Sequence, residues 1–429
     1  MSGKIVRKII SRLLRRLLAI IISWCICVPI AYIIPKKKNL VVFIGQNGGN
    51  LTGNVKYLFF HIYKLRQENV ELCFFTGKKE VYEELKQNNI PVLFHTSIWS
   101  LFKLLQANVV VVDSNMSQGK YYLAFCSYIV QLWHGIGFKR IAEDNINEIK
   151  AIKSMMLKKF YKKLHFYPRH DLLVSTSPFY TENVFAPALR HRQVLEAGYP
   201  RNDVMFREPD EFDMLGADAT CIARVEQLRD KGYKIIVWAP TFRDSGGGLL
   251  EDNALDVEKM VAFTKQYKLA IIFKFHPSNR GNKQLEGMDT IIQYDRHKDI
   301  YPLFRLADMM ITDYSSIYMD YLLLNKPVLF FAYDYQKYVE RDRDIQFDYN
   351  WITPGHKCYT QDELHAEIVQ IINGNDRYKE HRNEILEIAF KHKDGQASER
   401  VWSFIANNYL GNESMARNAT NSKYHDIKS

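Results

Sequence analysis

The sequence predicts an α/β protein of two doubly wound, Rossmann-like domains behind an N-terminal membrane anchor. Three observations carry that expectation. Short apolar runs alternate with helical patterns from Asn39 onward, which implies parallel strands joined by crossover helices. The runs fall into two series, separated by a polar, acidic stretch at Arg207–Gly216. A length of 429 residues fits two domains with accessories.

The first series predicts strands at Leu40–Ile44, Glu71–Phe75, Pro91–Phe94, Val109–Asp113, Tyr128–Leu132, Leu172–Ser175 and Val194–Glu196. The second predicts Tyr233–Trp238, Leu269–Phe273, Thr290–Gln293, Met309–Thr312 and Pro327–Phe331. The expected organisation is an anchor over 1–38, a first domain over 39–206 and a second over 207–410. The second domain closes with a helix at Gln396–Leu410. The polar tail 411–429 has no periodicity and reads as disordered.

The anchor follows from charge. The chain carries a net +10, but Lys4, Arg7, Lys8, Arg12, Arg15, Arg16, Lys36, Lys37 and Lys38 supply nearly all of it. Residues 1–38 contain no acid. A nearly neutral body argues against nucleic acid as a partner. Ile5, Val6, Ile9, Ile10, Leu13, Leu14 and Leu17 fall on one side of a helical wheel and the first six basic residues on the other. That pattern suits an anionic membrane surface. The uncharged stretch Leu17–Ile34 follows, closed by Pro35 and three lysines. A span, an in-plane or re-entrant anchor, a cleaved signal peptide and a buried helix all remain open. Pro29 and positive charge on both flanks favour the in-plane form. A lysine-punctuated helical pattern at Lys150–Leu164 reads as a solvated surface helix or a second contact with anionic lipid. The hydrophobic fraction of 47% and charged fraction of 25% exclude a disordered, fibrous or many-span protein. The six cysteines have no zinc-site spacing, so no metal is expected and a reduced compartment is the default.

Chemistry-bearing residues gather after predicted strands, where ligands bind in doubly wound sheets. Trp133-His134-Gly135-Ile136-Gly137-Phe138-Lys139-Arg140 follows one strand and Gly198-Tyr199-Pro200-Arg201-Asn202-Asp203 another. In the second series come Ala239-Pro240-Thr241-Phe242-Arg243-Asp244, Lys274-Phe275-His276-Pro277 and Asp313-Tyr314-Ser315-Ser316. Ser315 and Ser316 at a helix N-terminus offer hydroxyls and free N–H groups to a phosphate, although Ser315 could be an N-cap alone. Arg243 can clamp a phosphate bidentately or form a surface salt bridge. His134 and His276 can donate to phosphate oxygens or move protons near neutral pH. The set together describes a cleft for a phosphate-bearing donor. No G-x-x-x-x-G-K-[ST] motif is present, which excludes a P-loop enzyme.

These loops, with Asp320-Tyr321, Asn325-Lys326-Pro327, Phe347-Asp348-Tyr349 and Pro354-Gly355, resemble the CDP-glycerol glycerophosphotransferase family. That family includes teichoic acid primases and polymerases and related capsule polymerases. The resemblance runs from about Asn39 to about Tyr409. It implies a GT-B fold with an N-terminal acceptor domain and a C-terminal nucleotide domain, held at the cytoplasmic face of the cell membrane. It also implies transfer of a polyol phosphate, most simply glycerol phosphate, from CDP-glycerol or a related CDP-polyol. The acceptor would be a hydroxyl of a lipid-linked glycan or growing polymer, and CMP the product, with no cofactor. His134 is then expected as the general base, with His276 also catalytic. Arg243, His276, Ser315, Ser316 and Asp320 are expected on the donor, Asp320 at the ribose, and Lys139 and Asp203 on the acceptor side. The family's polymerases often read His-Gly-Thr-Pro-Leu-Lys where this chain has His134-Gly135-Ile136-Gly137-Phe138-Lys139, so the acceptor-side loop differs. A GT-B sugar transferase using a nucleotide sugar and a non-catalytic membrane scaffold are the rival readings. A donor screen separates the first, and the intact His, Arg and Ser-Ser set argues against the second.

Overall fold

The computed structural model of the chain describes residues 18, 21–114, 123–141, 169–243, 246–276, 283–341 and 345–411. The chain divides into two compact units. The first takes the described residues up to His134, Ile141–Arg201 and those from Gln396 on; the second takes Gly135–Arg140 and Asn202–Gly395.

The first unit is built on a seven-stranded, all-parallel sheet. Its strands are β1 (Lys37–Ile44), β2 (Glu71–Thr76), β3 (Val92–Phe94), β4 (Ala107–Val112), β5 (Tyr128–Gln131), β6 (His170–Ser175) and β7 (His191–Glu196), in the order β3-β2-β1-β4-β5-β6-β7. Leu40 to Ile44 and Val109 to Val112 are buried throughout. A sheet covered on both faces demands such unbroken β-branched and aromatic runs. The helix Gly53–Lys64 lies over it, with Phe59 edge-on to Phe43 and Phe74. β7 begins at His191, earlier than the sequence suggests. It is an edge strand, and its half-exposed polar residues hide it from an apolar pattern.

The second unit repeats the plan with six parallel strands. These are β8 (Lys234–Ala239), β9 (Leu269–Phe273), β10 (Ile291–Gln293), β11 (Met309–Thr312), β12 (Val328–Phe331) and β13 (Lys357–Cys358), in the order β10-β9-β8-β11-β12-β13. Its core centres on Trp238, stacked on Phe273 and edge-on to Phe331. Local chemistry starts the covering helices. Asp218 caps Ala219–Asp230, Asp256 caps Val257–Gln266, and Thr360 with Glu363 forms a capping box on Gln361–Ile372. All twelve expected strands are present. β13 has two residues, too few for a pattern to register.

The closing helix departs from expectation. Ala397–Tyr409 belongs to the first unit, not to the second domain. Its buried stripe of Val401, Trp402 and Ile405 packs with the helix Gly53–Lys64, where His61 meets Glu399 at 3.2 Å. Arg400 Nε donates to Ala197 O at 3.0 Å, and Tyr409 stacks on Tyr128. At the N-terminus, Ser23–Cys27 forms a π-helical turn and Val28–Ile33 an α-helix. No helix among the described residues is long and apolar enough to cross a membrane. The basic helical pattern up to Leu17, the Lys150–Leu164 segment and the tail from 412 lie outside the described residues.

Candidate active site

In each sheet the strand order reverses once, between β1 and β4 in the first and between β8 and β11 in the second. Such a reversal splays the connecting loops apart and leaves a crevice at the strands' carboxyl ends. The candidate residues lie on these loops and those of the adjoining strands.

In the first unit, β1 leads into Gly45–Gly53, β4 into Asp113 and β5 into Trp133 and His134. Trp133 adopts a left-handed backbone conformation (φ 57°), uncommon for a bulky residue and held only where neighbours over-determine it. Here they do. Gln131 Oε1 accepts from Trp133 N at 2.9 Å, and Asn54 Nδ2 donates to Trp133 O at 2.8 Å. Arg201 Nη1 donates to His134 O at 2.8 Å, and Asn54 Oδ1 accepts from Arg201 N. The His134 ring stacks on Trp133, with 4.4 Å between centroids, and keeps an edge open to solvent. Its Nδ1 lies 2.9 Å from Asp113 O. A carbonyl only accepts, so Nδ1 carries the proton and Nε2 presents a lone pair. Desolvation by the surrounding chain, aided by the Arg201 guanidinium and opposed by the Asp113 hydrogen bond, pushes the imidazole's pKa below its ordinary value. The ring is therefore a neutral base near pH 7.

The Asp113 carboxyl is fully buried beside this loop. Its Oδ2 accepts from Val55 N at 3.4 Å and Gln46 Nε2 at 3.5 Å, while Oδ1 has no partner. Burial pushes its pKa up to about 7, against the Val55 hydrogen bond. Gly53 is required here, because a Cβ would stand 2.9 Å from Asp113 Oδ2 and the backbone has φ +70°.

In the second unit, Asp313 bridges the reversal by accepting from Thr241 N at 2.9 Å. Arg243 corrects an expectation. It is 3% exposed. Its Nε and Nη2 engage both oxygens of Asp334 at 2.7 and 2.9 Å, and Nη1 meets Asp313 Oδ2 at 2.8 Å and Thr241 O at 2.6 Å. Tyr314, Tyr338 and Tyr333 present ring faces to it. Burial alone would lower its pKa, but Asp313 and Asp334 outweigh that and keep it charged. A guanidinium so engaged ties three loops together; it is not a phosphate clamp. Asp320 is corrected likewise. It is fully buried and accepts from Tyr301 OH at 2.6 Å, so it faces the interior rather than a ribose.

His276 is exposed after β9, its ring 5.7 Å from and nearly parallel to that of Phe242 after β8. Ser315 and Ser316 are half-buried after β11, and Ser315 Oγ accepts from Ile317 N at 3.4 Å. Gly137 lies against Ser316, where a Cβ would come within 2.9 Å of the serine Cβ. Lys139 and Asp203, expected on the acceptor side, belong to the second unit. Lys139 places its ammonium 5.3 Å from the Tyr338 ring, and Asp203 is buried in the 3-10 turn Pro200–Phe206. Lys274, in the motif with His276, is structural: Nζ donates to Asp295 O and Lys298 O, each at 2.8 Å. Asn54, Gln131 and Asp334 carry no signal in the sequence that marks them for these roles. Asn54 opens a helix and Asp334 follows a strand, but nothing local marks their distant partners.

Each of the two parallel sheets carries chemistry-bearing loops at its strand-order reversal, where a doubly wound fold takes its ligand. A family model described as CDP-glycerol:poly(glycerophosphate) glycerophosphotransferase matches residues 26–407, and the chain belongs to that family of enzymes. The teichoic acid glycerol-phosphate transferase of Staphylococcus aureus (strain NCTC 8325 / PS 47) is 28% identical over 86% of this chain and 93% of its own length. The teichoic acid poly(glycerol phosphate) polymerase of Bacillus subtilis (strain 168) is 27% identical over 79% of this chain and 44% of its own. Among solved structures, the wall teichoic acid polymerase TagF superposes with a TM-score of 0.66 at 21% identity, covering 94% of this chain and 98% of that one. A TagF structure soaked with CDPG is similar too, with a TM-score of 0.67.

Proposed function

We propose that this chain transfers glycerol phosphate from CDP-glycerol to a hydroxyl of a lipid-linked glycan or growing polymer, working as a GT-B-type enzyme. The acceptor oxygen attacks the phosphorus that carries the glycerol. The bond from that phosphorus to the oxygen shared with the CMP phosphate breaks, and CMP leaves with that oxygen. The acceptor's proton passes to His134 Nε2. Little covalent work is asked of the protein; positioning and charge stabilisation lower the barrier.

The observation that carries this reading is the His134 geometry. A neutral imidazole with Nδ1 tied to Asp113 O presents an Nε2 lone pair that can accept a proton. On the donor side, His276, Ser315 and Ser316 stand at or beside the second sheet's reversal and would receive the pyrophosphate. The basic, apolar N-terminus would hold the enzyme against the cytoplasmic membrane face, where a lipid-linked acceptor would be within reach.

The test is CMP release from CDP-glycerol, CDP-ribitol and nucleotide sugars with a defined lipid-linked acceptor. CDP-glycerol should be preferred, and His134→Gln should slow release by roughly 10²–10⁴ while leaving donor binding. Preference for a nucleotide sugar would overturn the reading.

A further inference from the structure

The helix Ile98–Gln106 breaks the rule for a surface helix. Ser100, Leu104 and Leu105 are buried on its inner side. The opposite side should be polar. Instead Ile98 is 85% exposed, Trp99 61%, and Phe102 is exposed beside them. At 3.6 residues per turn these three share about 100° of arc. Trp99 and Phe102 stack at 5.8 Å. A helix apolar on both sides is characteristic of one that meets a second apolar medium.

Its neighbours indicate which medium. The helix packs against the N-terminal helix Val28–Ile33, where Tyr32 and Ile33 are also exposed and Ala31 is buried. Polar bonds hold the two segments together. Lys36 Nζ donates to Leu105 O at 2.8 Å and to Ser127 Oγ at 3.1 Å. Glu71 binds Lys103 from the helix at 2.6 Å and also Lys37 from the start of β1. Lys103 lies 5.5 Å from the Trp99 ring. The exposed apolar residues of both segments are thus flanked by lysines, in a chain whose positive charge is concentrated in residues 1–38. A tryptophan ring suits the headgroup level of a bilayer interface, and the basic N-terminal segment joined to this helix supplies the attraction to anionic phosphates.

We infer that Ile98, Trp99 and Phe102 insert into an anionic lipid surface as a second contact, which with the N-terminal segment fixes how the first unit faces the membrane. A single helix would leave the body free to swivel, and two joined contacts set its tilt. The inference rests on surface chemistry and does not require the transferase reading.

The test uses the full-length chain and vesicles of phosphatidylcholine with or without phosphatidylglycerol. Replacing the three residues together (I98S, W99S and F102S) should weaken binding to anionic vesicles by about tenfold or more, with an unchanged melting temperature. Lipids brominated in the acyl chain should quench wild-type fluorescence. W99F should bind as wild type but lose part of that quenching, and it carries the test if the triple variant folds poorly. Unchanged vesicle affinity in a folded triple variant, or identical quenching in W99F, overturns the proposal. So does a change of oligomeric state with vesicle binding intact, which would make the face a protein interface. Turnover of a water-soluble acceptor is read in the same samples, and its absence in the wild type counts against the transferase reading alone.

Discussion

A single hydrogen bond sets the chemistry proposed for His134. Because Nδ1 is committed to Asp113 O, His134→Ala should lower kcat by roughly 10²–10⁴ with donor affinity near wild type. The lowered pKa places the acid limb of the kcat/KM profile below the ordinary histidine value of about 6.5, and a limb above it would argue against this residue as the base. Asp113 titrates in the opposite sense. Between its unfolded value, about 3.9, and about 7 in the fold, the folded chain holds a proton that the unfolded chain releases. Stability therefore falls as pH rises through that window. Asp113→Asn keeps an acceptor for Val55 and removes the buried charge. Its melting temperature should exceed wild type at pH 8 and approach it at pH 5. Arg243 gives a stability prediction as well. Arg243→Ala strands Asp313 and Asp334 in the interior and should cost about 3–5 kcal/mol in a denaturant titration. A normally stable variant with weakened CMP binding would restore the phosphate-clamp reading.

Among the elements, the strand-end loops are the parts with functional consequence. The loop after β5 runs from His134 to Lys139, and Phe138 packs between Tyr318 and Tyr349 while its carbonyl accepts from Gln346 N at 2.6 Å. Gly137 lets this loop lie directly on Ser316. Gly137→Ala leaves φ unstrained but must displace the serine. Donor KM should rise, by up to about 10²-fold, with the melting temperature little changed. An unaltered KM would separate Ser316 from the donor.

Nearly all of the chain's net charge lies in residues 1–38, and the strands of both sheets lie from Lys37 onward. β1 begins at Lys37, so deleting residues 1–35 should leave a folded protein that still uses a water-soluble acceptor. It should lose efficiency on acceptor in vesicles, because juxtamembrane basic residues each contribute about 1 kcal/mol of attraction to an anionic surface. Equal use of vesicle-bound acceptor by the truncated and full chains would reduce the segment to a localisation tag. Replacing the six basic residues from Lys4 to Arg16 by Gln should weaken binding to anionic vesicles more than to neutral ones.

Periodicity and composition alone determined the α/β class, the two strand series and the loops that carry chemistry. A strand buried on both faces must be a continuous apolar run, and that requirement is local. The runs at Leu40–Ile44 and Leu269–Phe273 could be read directly for this reason. Charge counting located the basic N-terminus in the same way. Pairing across the chain is not local. Arg243 in a strand-end motif looks the same in sequence whether it meets a ligand or, as here, Asp334 ninety-one positions away. Asp320 gives no sign that Tyr301 covers it, nor the closing helix that its Trp402 stripe suits the first unit. Nothing around Trp99 shows that its side of the helix lies uncovered. Those outcomes depend on which groups the folded chain brings together, and only the tertiary structure decided them.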